Sequence, residues 1–148
     1  MSVGSTAARV AASMSAMPSL ADDHAEIRNL LGRYCLLLDH DDVDAWVALF
    51  TPDGTFDVYG RTFAGPDGLR RMLAGAPGGL HLGGAVVVDV VDADHARTQQ
   101  NLLFIDRTDG ASRSAIYYDE LVRTDAGWRI RARRCRFITA DGLSDRPG

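Results

Sequence analysis

The second half of the chain reads as four long β-runs in succession: Leu80 to Val91, Ala96 to Asp106, Ser112 to Arg123 and Trp128 to Ile138, each about 11 residues long. The stretches between them, Asp92-Ala93-Asp94-His95, Arg107-Thr108-Asp109-Gly110 and Thr124-Asp125-Ala126-Gly127, are turn-forming. Strands this long exceed the usual length of about five or six residues. Joined by tight turns, they make a meander of hairpins. A sheet of long strands twists and coils, so it curls, and its concave side must be filled by something apolar.

The only apolar bodies available are helices in the first half. Ile27, Leu30, Leu31, Tyr34, Leu37 and Leu38 recur at three- and four-residue steps, which predicts a helix from Asp23 to Asp39 with Asp22 or Asp23 as N-cap. Asp42 caps a second short helix carrying Val43, Trp46, Leu49 and Phe50. Thr51-Pro52-Asp53-Gly54 is read as a turn, Thr55 to Tyr59 as a strand that returns through Thr62 and Phe63, and Pro66 to Leu73 as a short helix ending in a glycine-rich loop. The expected fold is a single α+β domain over residues 22–140, a curved antiparallel sheet wrapped around the N-terminal helices and enclosing a pocket. Residues 1–21 and 141–148 are read as tails.

Composition narrows the functional classes. The net charge is −4 and all 16 basic residues are Arg, which argues against a general nucleic-acid binder. Alternation splits the local cluster of Arg129, Arg131, Arg133, Arg134 and Arg136 between two faces of a strand. Cys35 and Cys135 offer no metal or disulfide spacing and read as buried free thiols. The chain shows no apolar run of about 18 residues and no signal-peptide pattern, so a cytoplasmic protein that does not engage membranes is expected. Phosphate loops, paired metal ligands and nucleophile elbows are missing from the sequence, and no cofactor or metal is expected.

Several polar residues fall where a core belongs. Tyr34 lies on the apolar helix face, with Asp39 at the helix end. His81 opens the first long strand, Asp106 ends the next, and Tyr117 and Asp119 share one face of the third. In a curled sheet these positions can converge on one cavity. Each also has a structural reading. Tyr34 could be a core aromatic, Asp39 part of a solvated acidic joint, and His81 a satisfied core histidine. Asp106 could be a solvent-facing turn residue, and Asp119 the partner of a neighbouring Arg. Taken together they suit proton abstraction beside a carbonyl. Histidine moves protons near neutral pH, a carboxylate fixes its tautomer, and a tyrosine hydroxyl donates to a developing oxyanion.

The order and spacing of Tyr34, Leu38-Asp39, Asp42, Trp46, Leu49-Phe50, Asp53-Gly54 and Phe56 resemble the opening of the SnoaL-like branch of the nuclear transport factor 2-like superfamily. Phe63-Ala64-Gly65-Pro66, His81 and Gly127-Trp128-Arg129-Ile130 extend the resemblance over Asp22 to Ile138. It implies a cone-shaped, cystatin-like fold with a deep, mostly apolar pocket, often in a homodimer packed through its sheets. The superfamily holds dehydratases, cyclases, isomerases, epoxide hydrolases and non-catalytic subunits, so fold leaves function open.

Within it the dehydratases look most similar. Tyr34 and Asp39 match the Tyr-x4-Asp pair of bile-acid 7α-dehydratase. His81 matches the strand histidine shared with scytalone dehydratase. Asp106 falls where the latter has a second histidine, and Tyr117 where it has an asparagine. Arg136 is the nearest match to a last-strand arginine, with Arg133 the other choice. The Arg-x-Asp motif of limonene epoxide hydrolase is not evident.

The resemblance thus implies a dehydratase-type lyase acting on a small apolar cyclic, steroid- or polyketide-like compound. His81, Asp39 and Tyr34 would be its catalytic groups, and Asp106, Tyr117, Asp119, Arg136 and Trp46 its substrate-contacting ones. The alternatives are a non-catalytic ligand-binding or accessory subunit and a ketosteroid-isomerase- or cyclase-type isomerase. A homodimer or higher homo-oligomer is expected.

Overall fold

The computed structural model describes residues 17–148. The tail expected over residues 1–21 lies outside these as far as residue 16. From Leu20 the chain is already helical, and α1 runs Leu20–Asp39. Its cap is Ser19, three residues before the position expected. The Ser19 hydroxyl accepts from the Asp22 N–H at 3.1 Å, and the Asp22 carboxylate accepts from the Ser19 N–H at 2.9 Å, a reciprocal capping box. Asp23 is instead used for tertiary structure. Its buried carboxylate accepts from the Trp128 indole at 3.0 Å and from Arg123 at 2.7 Å, tying the start of α1 to the end of the sheet.

Asp42 caps α2 (Val43–Val47) through the Ala45 N–H, as expected. Strand β1 (Phe50–Val58) begins before the expected turn and runs through it. Between Phe50, opposite Ile130, and Thr55, opposite Ala132, the four residues from Thr51 to Gly54 face a single partner residue. The turn chemistry is therefore absorbed as a bulge. Gly54 fits there because a Cβ would stand 2.9 Å from both the Phe50 Cβ and the Thr51 carbonyl. Strand β2 (Arg61–Ala64), helix α3 (Gly65–Gly75) and strands β3 (Gly79–Val90), β4 (His95–Asp106), β5 (Ser112–Thr124) and β6 (Gly127–Thr139) follow the expected order. A short β7 (Gly142–Ser144) adds to β6 inside the stretch read as a tail.

The strand order is β2-β1-β6-β5-β4-β3. All pairings are antiparallel except β1 with β6, which is parallel. The sheet is thus mixed, not antiparallel throughout. The chain leaves the hairpin β1–β2 through α3, and the last strand of the meander returns to lie beside β1. The core lies between α1 and the concave face, centred on Ile27, Leu30, Leu31, Trp46, Leu121, Trp128 and Ile130.

One bulge decides what faces that core. Along β6, Trp128 and Ile130 point inward, and strict alternation would send Arg134 and Arg136 after them. Glu120 pairs with Ala132 but Leu121 pairs with Ile130, so Arg131 is an extra residue. The phase shifts by one, and Arg133, Cys135 and Phe137 turn inward instead. Arg133 meets Asp119 across the strands in a two-pronged contact, Nε–Oδ1 2.7 Å and Nη2–Oδ2 2.8 Å, with both side chains fully buried. Thr98, the Asp119 partner on β4, donates its hydroxyl to Asp119 Oδ2 at 2.9 Å. Removing one member of a buried pair strands the other charge. Asp119→Ala is expected to lose about 3–5 kcal/mol in urea unfolding, while Asp119→Leu with Arg133→Met together recovers most of it.

Candidate active site

The rows of the concave face run from the buried pair toward an opening. Beyond Thr98-Asp119-Arg133 comes Gln100-Tyr117-Cys135, then Leu102-Ala115-Phe137, then the row shared by His81, Phe104 and Arg113. Helix α1, the end of α3 and β1 close the other side, leaving a cavity of about 350 Å³. Its wall is mainly apolar, with Leu37, Leu38, Phe56, Met72, Leu73 and Phe104 prominent. Tyr34, His81, Tyr117 and Cys135 are set into it, and Asp41, Arg70, Arg107 and Arg113 also take part.

His81 lines this cavity, and Asp39, at the last turn of α1, supports it. Asp39 Oδ1 lies 2.8 Å from His81 Nδ1 and 3.0 Å from the His81 backbone nitrogen. One carboxylate therefore holds both the ring and the strand that bears it. A carboxylate can only accept, so this contact assigns the ring proton to Nδ1 and leaves Nε2 as the basic nitrogen. The ring also packs against Phe104, with centroids 4.9 Å apart.

Tyr34 and Tyr117 meet edge to face at 5.8 Å, and the Arg133 guanidinium sits 4.0 Å from the centre of each ring. Burial pushes the Tyr34 phenol up to about 12, against a downward pull from Arg133. Tyr117 is also pushed well up, chiefly by burial. Both rings are therefore neutral hydrogen-bond donors at physiological pH. Burial draws the Arg133 guanidinium down, but the charge and hydrogen bonds of Asp119 outweigh it, and the net shift is upward.

Four expected substrate contacts lie off the cavity wall. Trp46 is fully buried behind Tyr34, with ring centroids 5.6 Å apart. Asp106 turns to its own loop, where its carboxylate accepts from the Thr108 N–H at 2.8 Å. Asp119 is consumed by Arg133 and Thr98, the pairing that an acidic residue in a strand beside arginines also allowed. Arg136 follows the shifted phase of β6 outward and meets Asp145 and the Leu143 carbonyl. Arg133, the other arginine considered, is the one that turns inward. Sequence reasoning missed Tyr59, Phe104, Arg107 and Arg113. Alternation from Leu102 or Ala115 would have placed Phe104 and Arg113 on the inner face.

Among the described residues no three His, Cys, Asp or Glu side chains form a metal-ligating group, and no helix is long and apolar enough to cross a membrane. Cys35 and Cys135 are free and buried. Burial raises the Cys35 thiol and pushes Cys135 up to about 12. Both should resist Ellman's reagent at neutral pH in the folded protein and react on denaturation, as read by release of the coloured thiolate.

A family model described as a SnoaL-like domain matches residues 19–134. No curated protein matches the chain. Among solved structures, a Mycobacterium tuberculosis protein of unknown function is 31% identical, with 76% of this chain and 74% of that one covered and a TM-score of 0.70. An NTF2-like protein with a cystatin-like fold from Novosphingobium aromaticivorans is 26% identical, covers 86% and 96% of the two chains, and has a TM-score of 0.71. A protein from the same organism, described as a candidate scytalone dehydratase, is 21% identical over 83% and 87%, also with a TM-score of 0.71.

Proposed function

The chain belongs to the SnoaL-like domain family, and on that footing we propose that it is a cofactor-independent lyase of the dehydratase type, working by acid–base chemistry on a small cyclic, largely apolar compound. The observation that carries this reading is the Asp39–His81 dyad, with Nδ1 held at 2.8 Å and the ring set in the wall of a mainly apolar cavity.

In this reading Nε2 of His81 takes a proton from carbon beside a carbonyl. Asp39 compensates the imidazolium that forms, without itself taking the proton. Tyr34, with Tyr117 beside it, donates toward the carbonyl oxygen as charge builds there. The electron pair left on carbon expels a hydroxyl group, and the imidazolium returns its proton to that group, which departs as water. Asp119 acts through Arg133, which holds the two tyrosine rings in place. The 21%-identical structure described as a candidate scytalone dehydratase agrees with this chemistry in its description, while its likeness is one of fold.

The isomerase alternative uses the same dyad but returns the proton to another carbon, so mass analysis of the product separates it from loss of water. With an accepted substrate, His81→Ala is expected to lower kcat by about 10²- to 10⁴-fold. Asp39→Asn should lower it by up to about 10⁴-fold by favouring the wrong tautomer. Unchanged turnover in either variant, with circular dichroism showing a native fold, would falsify the assignment.

The reading includes a homodimer or higher homo-oligomer. On the outer sheet face, Leu82 pairs with Leu103 and Ile138 with Leu143, all four exposed. Leu103→Glu is expected to shift sedimentation to the monomer, and a wild-type monomer would refute this part.

A further inference from the structure

Three cationic side chains take part in the cavity wall, and two are already neutralised. Arg107 makes a two-pronged contact with Asp41, at 2.8 and 3.2 Å, and Arg70 meets Asp44 at 2.6 Å. Arg113 is half-buried and, among the described residues, has no carboxylate partner. The other carboxylate in the wall, Asp42, belongs to the helical side and caps α2.

The strand register gives Arg113 its meaning. His81 is opposite Phe104, and Phe104 is opposite Arg113, so the three form one row on the concave face. All three line the cavity. Two inter-strand steps, about 10 Å of backbone separation, lie between His81 and Arg113, with the Phe104 ring between them.

Tyr59 adds a second, independent feature at the same place. It and Gly60 form the two-residue loop between β1 and β2, with φ of 57° and 72°. Positive φ at both positions is the pattern that Asn-Gly ordinarily supplies, and a bulky aromatic residue is disfavoured there. The strain is borne where the ring walls the cavity, stacked on Phe137 at 5.6 Å and 21°. Burial raises the Tyr59 phenol, and the nearby Arg113 guanidinium offsets part of that rise.

We infer that Arg113 anchors a carboxylate on the ligand, so that the compounds taken are ring-bearing carboxylic acids whose ring lies over Phe104 between Arg113 and His81. Only the placing of the reactive carbon at His81 rests on the proposed function; the anion site stands on Arg113 itself. A planar guanidinium matches a carboxylate with two parallel hydrogen bonds. Its apolar surroundings strengthen that attraction relative to water. A neutral isostere of the same shape leaves the cation unmatched, which is where discrimination arises.

The test is calorimetric binding of 2-naphthoate and 2-naphthamide, which share a two-ring body and differ in charge. Wild type is expected to favour the acid by at least about tenfold. Arg113→Gln should abolish the preference, Arg113→Lys should retain part of it, and His81→Ala should leave it in place. Arg113→Met, which keeps the apolar stem, is the second neutral variant if Gln perturbs the fold by circular dichroism. Equal binding of the two compounds by wild type, binding of neither, or a preference that survives both neutral variants overturns the inference. A preference lost in the neutral variants supports it, even if His81→Ala retains turnover and the catalytic assignment fails.

Discussion

The contact between Asp119 and Arg133 joins the first helix to three strands of the sheet at the inner end of the cavity. It bridges β5 to β6, takes a third hydrogen bond from Thr98 on β4, and places a guanidinium under the rings of Tyr34 from α1 and Tyr117 from β5. Two full charges held away from water are costly, and a well-packed apolar substitute could be as stable. What the pair provides is position. The guanidinium stands in the corner made by two nearly perpendicular rings, and the carboxylate fixes where that corner lies.

The bulge that admits Arg131 makes this contact possible, and it belongs to a wider pattern. A second irregularity lies between Gly83 and Val86 on β3, and a third absorbs Thr51 to Gly54 on β1. Each bends its strand and raises local twist. Long strands that curl leave a concave face wider than one helix can fill. The remaining space is the cavity, and two polar groups border it: the Asp39–His81 dyad at the end of α1 and the start of β3, and the paired tyrosines beside the buried ions.

Legibility of the candidate site follows a simple division. His81, Tyr34 and Tyr117 were readable because each interrupts an apolar pattern that itself predicts the inner face, and all three line the cavity. Asp39 was readable through its spacing from Tyr34 and its match in order, although its own neighbourhood looks like a solvated acidic loop. Asp106 and Asp119 also interrupt apolar strands, but local partners absorb them, one a turn N–H and the other a cross-strand arginine. Trp46 reads as a pocket aromatic and is core. Residue type and face are periodic properties of the chain, whereas the choice of hydrogen-bond partner is not.

By itself the sequence determined the α+β class, the run of long strands, the helix face beneath them and the curvature that length imposes. These follow from periodicity, turn chemistry and twist, all of them local. The tertiary structure alone decided the parallel pairing of β1 with β6 and the inward turn of Arg133 in place of Arg136. It also decided that Arg113 should stand unpaired in the same row as His81. Each depends on register, and register is set by which distant strand a segment meets and where an extra residue is accommodated. A single added residue exchanges the two faces of a strand, and nothing local to the arginine-rich segment distinguishes Arg131, the residue that bulges, from its neighbours.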